Sequence, residues 1–131
     1  MPLTGGLHRR YPLNVKPLLH SRARSSAVQQ GARIMFDLTG KKALVVGVAN
    51  DQSIAWGCAR ALAAQGAELA ITYLNDKAEP HVRPLGERLS ASIVAPLDVR
   101  DDAQLSAVFE QVKEHWGGLD VLLHSIAFCP R

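Results

Sequence analysis

Two apolar patterns alternate along the chain. Unbroken runs rich in β-branched residues recur at 43–46, 68–73, 92–96 and 119–123, each of the length of a buried strand. Between them the apolar spacing changes to the helical period. From Ile54 it picks out Ile54, Cys58, Ala61 and Leu62, with Gly66 as the stop. A second helix is expected from Lys77 towards Leu89, with Pro80 in its first turn or Pro84 bending it. A third, capped by Asp101 or Asp102, carries Leu105, Val108, Phe109 and Val112 and ends near Trp116, ahead of Gly117-Gly118. Four strands alternating with three helices predict right-handed βαβ crossovers, hence an open parallel sheet with helices on both faces. That is a doubly wound, Rossmann-like α/β fold.

In such sheets ligands bind outside the carboxyl ends of the strands. Two segments fall there. After the first strand, Gly47 and the polar turn Asn50-Asp51-Gln52-Ser53 lead into the first helix. After the fourth come His124, Ser125, Ile126 and Ala127. A strand, a glycine turn and a helix start aim backbone N–H groups and the positive end of a helix dipole at one anion. Gly47 has no Cβ to hold a diphosphate away, and Ser53 is placed to cap the helix or to donate to phosphate. Ala55 and Gly57 are small enough to let the helix sit close on the strand. The spacing departs from G-x-G-x-x-G, since only Gly47 and Gly57 remain with Ser53 and Ala55 between them. Taken alone, the turn fits phosphate binding or an ordinary strand-to-helix connection.

Composition narrows the picture. The hydrophobic fraction of 47% suits a soluble globular domain, and no apolar run approaches the roughly 20 residues of a membrane helix. Cys58 and Cys129 form no metal-ligand or redox spacing, so reduced cytosolic thiols are expected. The net charge of +3 joins two unlike parts. Residues 1–34 carry six basic residues and no acid, with three prolines and no sustained period, and are expected to be a disordered basic extension. Residues 35–131 carry nine basic and twelve acidic residues and are expected to be the folded part, a partial Rossmann domain. Basic tails are often solvated and idle, so nucleic acid is not the expected partner.

Residues 36–131 resemble the amino-terminal part of an enoyl-acyl-carrier-protein reductase, a divergent branch of the short-chain dehydrogenases/reductases. The resemblance rests on Gly47 with Ser53-Ile54-Ala55-x-Gly57, on residues 72–77 (TYLNDK), on Asp98-Val99, and on residues 124–128 (HSIAF). It implies NADH-dependent reduction of a 2-enoyl thioester on acyl carrier protein in cytoplasmic fatty-acid synthesis, by a homo-oligomer. By position, Gly47, Ser53 and Ile54 would meet the pyrophosphate and neighbouring ribose. Leu74 would stand at the adenosine side, where leucine packs but cannot hydrogen-bond a hydroxyl. No arginine ends that strand to receive a 2′-phosphate, which favours NADH, while Lys77 keeps NADPH as an alternative. Asp98 and Val99 would frame the adenine, and Ser125, Ile126 and Ala127 would run beneath the nicotinamide. Without the resemblance, Asp98 reads as a turn residue, Val99 and Ile126 as core, and His124 as a packed or solvated histidine.

The resemblance also says what to set aside. Tyr73 and Lys77 have Tyr-x-x-x-Lys spacing, but they fall at the adenosine edge, far from the hydride. The family's catalytic pair is Tyr-x6-Lys on a later helix, and neither Tyr11 nor Tyr73 has a lysine seven positions on. The expectation is therefore a cofactor-binding part with no catalytic residue of its own, inactive alone, in a sheet of order 3-2-1-4 whose fourth strand is an edge. A free-standing nucleotide-binding module, or a piece of another short-chain dehydrogenase/reductase, is the competing reading.

Overall fold

The computed structural model describes residues 36–127. The basic extension at 1–34 and the positions Phe128 and Cys129 lie outside the described residues. The chain alternates β1 (Lys42–Val46), α1 (Ile54–Ala64), β2 (Glu68–Tyr73), α2 (Glu79–Arg88), β3 (Ile93–Pro96), α3 (Asp102–Trp116) and β4 (Val121–His124). The four strands are parallel in the order β3-β2-β1-β4, as the alternation and the resemblance predict.

Side-chain alternation along the strands divides the core into two layers. Ala43, Val45, Leu69, Ile71 and Tyr73 point to one face, where α1 supplies Ala55, Trp56 and Ala59 and α2 supplies Val82 and Leu85. Leu44, Val46, Ala70, Ile93 and Ala95 point to the other, where α3 supplies Val108 and Val112. Both faces of the sheet are covered, which is why its strands read as continuous apolar runs.

Local chemistry sets the helix boundaries. Ser53 caps α1, its Oγ accepting from the Trp56 amide at 3.3 Å. Asp101 caps α3, accepting from the amides of Ala103 at 2.9 Å and Gln104 at 3.2 Å. Gly117 closes that helix in the left-handed conformation, with φ of 73°. Helix α2 begins two residues later than its spacing predicts, at Glu79. The reason is Asn75, whose Oδ1 accepts from the amides of Lys77 and Ala78 and holds the chain in a turn. The helix then runs through Pro84.

Two expectations about α1 are corrected. Its buried face is Ala55, Trp56 and Ala59, whereas Ile54 is 79% exposed and Ala61 is exposed as well. Gly57 is also exposed, and a methyl built on it meets nothing within 4 Å, so it is Ala55 that lets the helix sit close on the sheet. On α3, Phe109 is exposed and the seam runs through Val108 and Val112. Strand β4 is a sheet edge with Leu122 outward, 55% exposed.

Candidate functional site

The strand order reverses between β1 and β4, because β2 and β3 are added on one side of β1 and β4 on the other. The loops leaving these two strands diverge at their carboxyl ends and open a crevice there. A cleft of about 310 Å³ occupies this place, lined by Gly47, Val48 and Ala49 after β1, by Leu74, Asn75 and Ala78 after β2, by Leu97 after β3, and by residues 125–127 after β4. All four strand ends contribute to it.

The turn after β1 is held from both sides. The Val48 amide donates to the Thr72 carbonyl at 2.9 Å, and the Gly47 amide points to Thr72 Oγ1 at 3.4 Å. On the other side the Ser125 amide donates to the Val46 carbonyl at 2.9 Å. Gly47 has φ of 98°, a backbone region closed to most side chains. The turn then folds on Asn50, whose Oδ1 accepts from the Gln52 amide at 2.9 Å and whose carbonyl accepts the Ser53 hydroxyl at 2.7 Å. Ser53 thus spends its one O–H on Asn50 while its oxygen caps the helix, so the capping role is the one seen. The amides of Ile54 and Ala55, at the start of α1, have no acceptor among the described residues.

The cleft gathers Gly47, Leu74, Ser125, Ile126 and Ala127 from the nine residues singled out in the sequence. Leu74 is 49% exposed there, a large apolar surface open to a ligand. Ser53 and Ile54 stand at the head of α1, directly after the turn. Asp98 and Val99 follow Leu97, the one wall residue supplied after β3. Val99 is half-buried and packs on the α3 side of the core, as Ile126 does, so both are core residues as well as neighbours of the cleft.

Asp98 is engaged with Arg100. Its Oδ1 accepts from the Arg100 amide at 3.0 Å and from Nε at 2.9 Å, and its Oδ2 from Nη2 at 2.6 Å. These charge-assisted bonds hold the Asp98 carboxyl well below the usual carboxylate range, at about 2. Its backbone is fixed separately, by donation from the Asp98 amide to Gln104 Oε1 at 3.0 Å. Gln104 Nε2 in turn donates to Asp101 Oδ2 at 2.9 Å, so the cap of α3 and the loop after β3 are one network. A carboxylate has about four lone-pair sites, so Asp98 keeps capacity for one more donor.

Tyr73 is only 3% exposed and packs in the layer beneath α1 and α2. Its hydroxyl faces Glu79 and Arg83, and burial first, then the charge of Glu79, pushes it above its ordinary value. Tyr73 is no part of the cleft, and the Tyr73/Lys77 spacing is a feature of the β2–α2 connection. His124 is exposed at the end of β4. Sequence reasoning missed Val48, Ala49, Asn75, Ala78 and Leu97 as wall residues, and Thr72 and Gln104 as their supports. Of these, Thr72 and Asn75 lie in the run 72–77 that carries the resemblance, and Gln104 left a trace in the Asp101-x-x-Gln104 spacing of a capping box.

Four parallel strands in this order, with a glycine turn and a helix start at the point of reversal, define a Rossmann-like α/β domain. A family model for enoyl-(acyl carrier protein) reductase matches residues 47–131. The chain belongs to the enoyl-acyl-carrier-protein reductase family. It is 50% identical over 100 residues to the enoyl-[acyl-carrier-protein] reductase [NADH] FabI of Synechocystis, covering 74% of this chain and 39% of that protein. It is 46% identical over 91 residues to an enoyl-[acyl-carrier-protein] reductase [NADH] of Rhizobium meliloti, covering 70% of this chain and 34% of the relative. Among solved structures, the Anaplasma phagocytophilum reductase in complex with NAD superposes with a TM-score of 0.68 at 41% identity, over 76% of this chain and 38% of that one. The chain spans about two fifths of the length of the curated relatives it matches.

Proposed function

We propose that this chain forms the NADH-binding part of an enoyl-acyl-carrier-protein reductase. The observation that carries the reading is the cleft at the β1/β4 reversal, walled by all four strand ends and headed by a helix start with acceptor-free amides. The residues fit a dinucleotide. The amides of Ile54 and Ala55 and the positive end of α1 suit a pyrophosphate. Leu74 gives an apolar rest for the adenosine side, and Asp98, held ionised by Arg100, offers an acceptor beyond Leu97. Residues 125–127 form the wall towards which the nicotinamide would extend.

Bound there, NADH would supply the hydride that reduces a 2-enoyl thioester. This chain's own residues bind and orient it. In this reading, stabilising the enolate oxygen is assigned to none of the residues that wall the cleft. The acyl-carrier-protein-bound substrate is in keeping with the names of the NADH-dependent relatives, and a homo-oligomeric assembly and a cytoplasmic setting complete the reading. Among the described residues no helix is long and apolar enough to cross a membrane.

The test uses Ile54→Glu. The side chain is exposed, and an acidic residue in the first turn suits the helix dipole, so the fold keeps or gains stability. The same charge opposes a pyrophosphate at the α1 amides, and NADH affinity by calorimetry is expected to fall about tenfold, or about 1.4 kcal/mol. Unchanged NADH affinity in the folded variant would remove the α1 start from the site.

A further inference from the structure

The turn after β1 and the segment after β4 meet at Gly47. The ladder between the strands pairs Val46 with His124 and is extended one step by the Ser125 amide bonding to the Val46 carbonyl. Gly47 follows directly. A methyl carbon built on it would stand 2.6 Å from the Ser125 carbonyl oxygen, 2.9 Å from Ile126 Cγ1 and 3.0 Å from the Ser125 carbonyl carbon. Side-chain carbons do not approach other heavy atoms closer than 3.0 Å, and here the nearest neighbour is backbone, which cannot rotate aside. Any larger residue at Gly47 must therefore push the chain at Ser125 away.

That chain is the wall of the cleft at residues 125–127. In the dinucleotide fingerprint the first glycine serves the tight turn and the second lets the backbone approach the pyrophosphate. In this protein the space left by the missing side chain is filled by protein, namely Ser125 and Ile126. We propose that Gly47 is a positioning residue whose bareness sets where the 125–127 wall stands, so that its contribution to dinucleotide binding runs through that wall and not through the pyrophosphate. The proposal rests on the dinucleotide reading above. It predicts an asymmetry: a ligand that reaches only the phosphate turn and the adenosine side is indifferent to residue 47, whereas one that extends along 125–127 is not.

The experiment compares Gly47→Ala with the unaltered chain by calorimetry, using NADH and ADP as separate titrants. The expected result is an NADH affinity about tenfold weaker with ADP affinity changed less than about twofold. In the ligand-free variant, ¹⁵N amide shifts are expected to move at residues 125–127 and to hold at Ile54 and Ala55. Because alanine is strained at a φ of 98°, Gly47→Asn is the second variant, asparagine entering the left-handed region at lower cost while carrying the same Cβ. Equal loss of NADH and ADP, with the 125–127 signals unmoved, would overturn the proposal and assign Gly47 to the pyrophosphate. Failure of the unaltered chain to bind either titrant would instead overturn the dinucleotide reading, and the proposal with it.

Discussion

Gly86 offers a sharp test of how α2 is seated, and with it the Asn75–Ala78 side of the cleft. It lies buried in the helix against the sheet, and a methyl carbon built there would stand 2.6 Å from Val94 Cγ2 and 3.2 Å from Ile71 Cδ1. Two effects oppose each other in Gly86→Ala. Alanine gains about 1 kcal/mol over glycine in a helix interior. Against this, overpacking a filled site costs about 1–3 kcal/mol. Ile71 Cδ1 is the end of a flexible chain and can turn away, but Val94 is branched at Cβ and has little rotamer freedom. The clash therefore outweighs the propensity gain, and a net loss of about 1 kcal/mol is expected. In a domain of this size that is a fall in Tm of about 4–8 °C. Urea unfolding followed by circular dichroism measures it, with an unchanged slope showing that only stability moved. Adding Val94→Ala should recover part of the loss, giving a coupling of about 0.5 kcal/mol or more. A Gly86→Ala protein about 1 kcal/mol more stable than its parent would refute the reasoning, since it would mean that α2 can lift from the sheet at no cost.

Asp98 should titrate near 2 by carbon-detected NMR, and Arg100→Ala should return it towards the ordinary value of about 3.9. The sign follows from the depressed value: the pair stabilises the fold above the unfolded pKa, and that contribution is lost as pH falls from about 4 towards 2. Asp101→Ala removes the acceptor of two α3 amides and of the Gln104 side chain, and should cost about 1–2 kcal/mol in urea unfolding. The same variant should speed amide exchange at Asp98, whose N–H rests on Gln104; unchanged exchange there would break the link drawn between the cap and the loop.

Much of the fold was legible because parallel strands covered on both faces leave unbroken apolar runs. Strand β2 was readable to the residue, and the others to within one or two positions. The face of α1 was misread because hydropathy favours Ile54, the most apolar residue of its first turn, over the alanines. The helix packs so close to the sheet that Ala55 and Ala59 touch it, Trp56 fills the flank, and Ile54 faces outward at the cleft end. The same limit applies to the cleft. Gly47 and residues 125–127 were found because a glycine after a strand and a loop after the last strand are marked by position. Val48, Ala49, Ala78 and Leu97 carry no chemistry of their own, and only the crossovers bring them to one place. The role of Gly47 was half legible. Its need for a left-handed backbone is a property of the turn, but its contact with Ser125 joins residues 78 positions apart in sequence and exists only once β1 and β4 are paired.

Where NADH sits decides between the cleft at the strand ends and any other binding place. A ¹H–¹⁵N titration of the 131-residue chain with NADH reports this directly. The predicted result is saturable shift changes at Gly47, at the Ile54 and Ala55 amides, at Leu74 and at residues 125–127, with the outer side of α2 unmoved. Changes centred instead on the groove of Asp76, Glu79, Arg83 and Glu87, or no changes at the four strand ends, would contradict it.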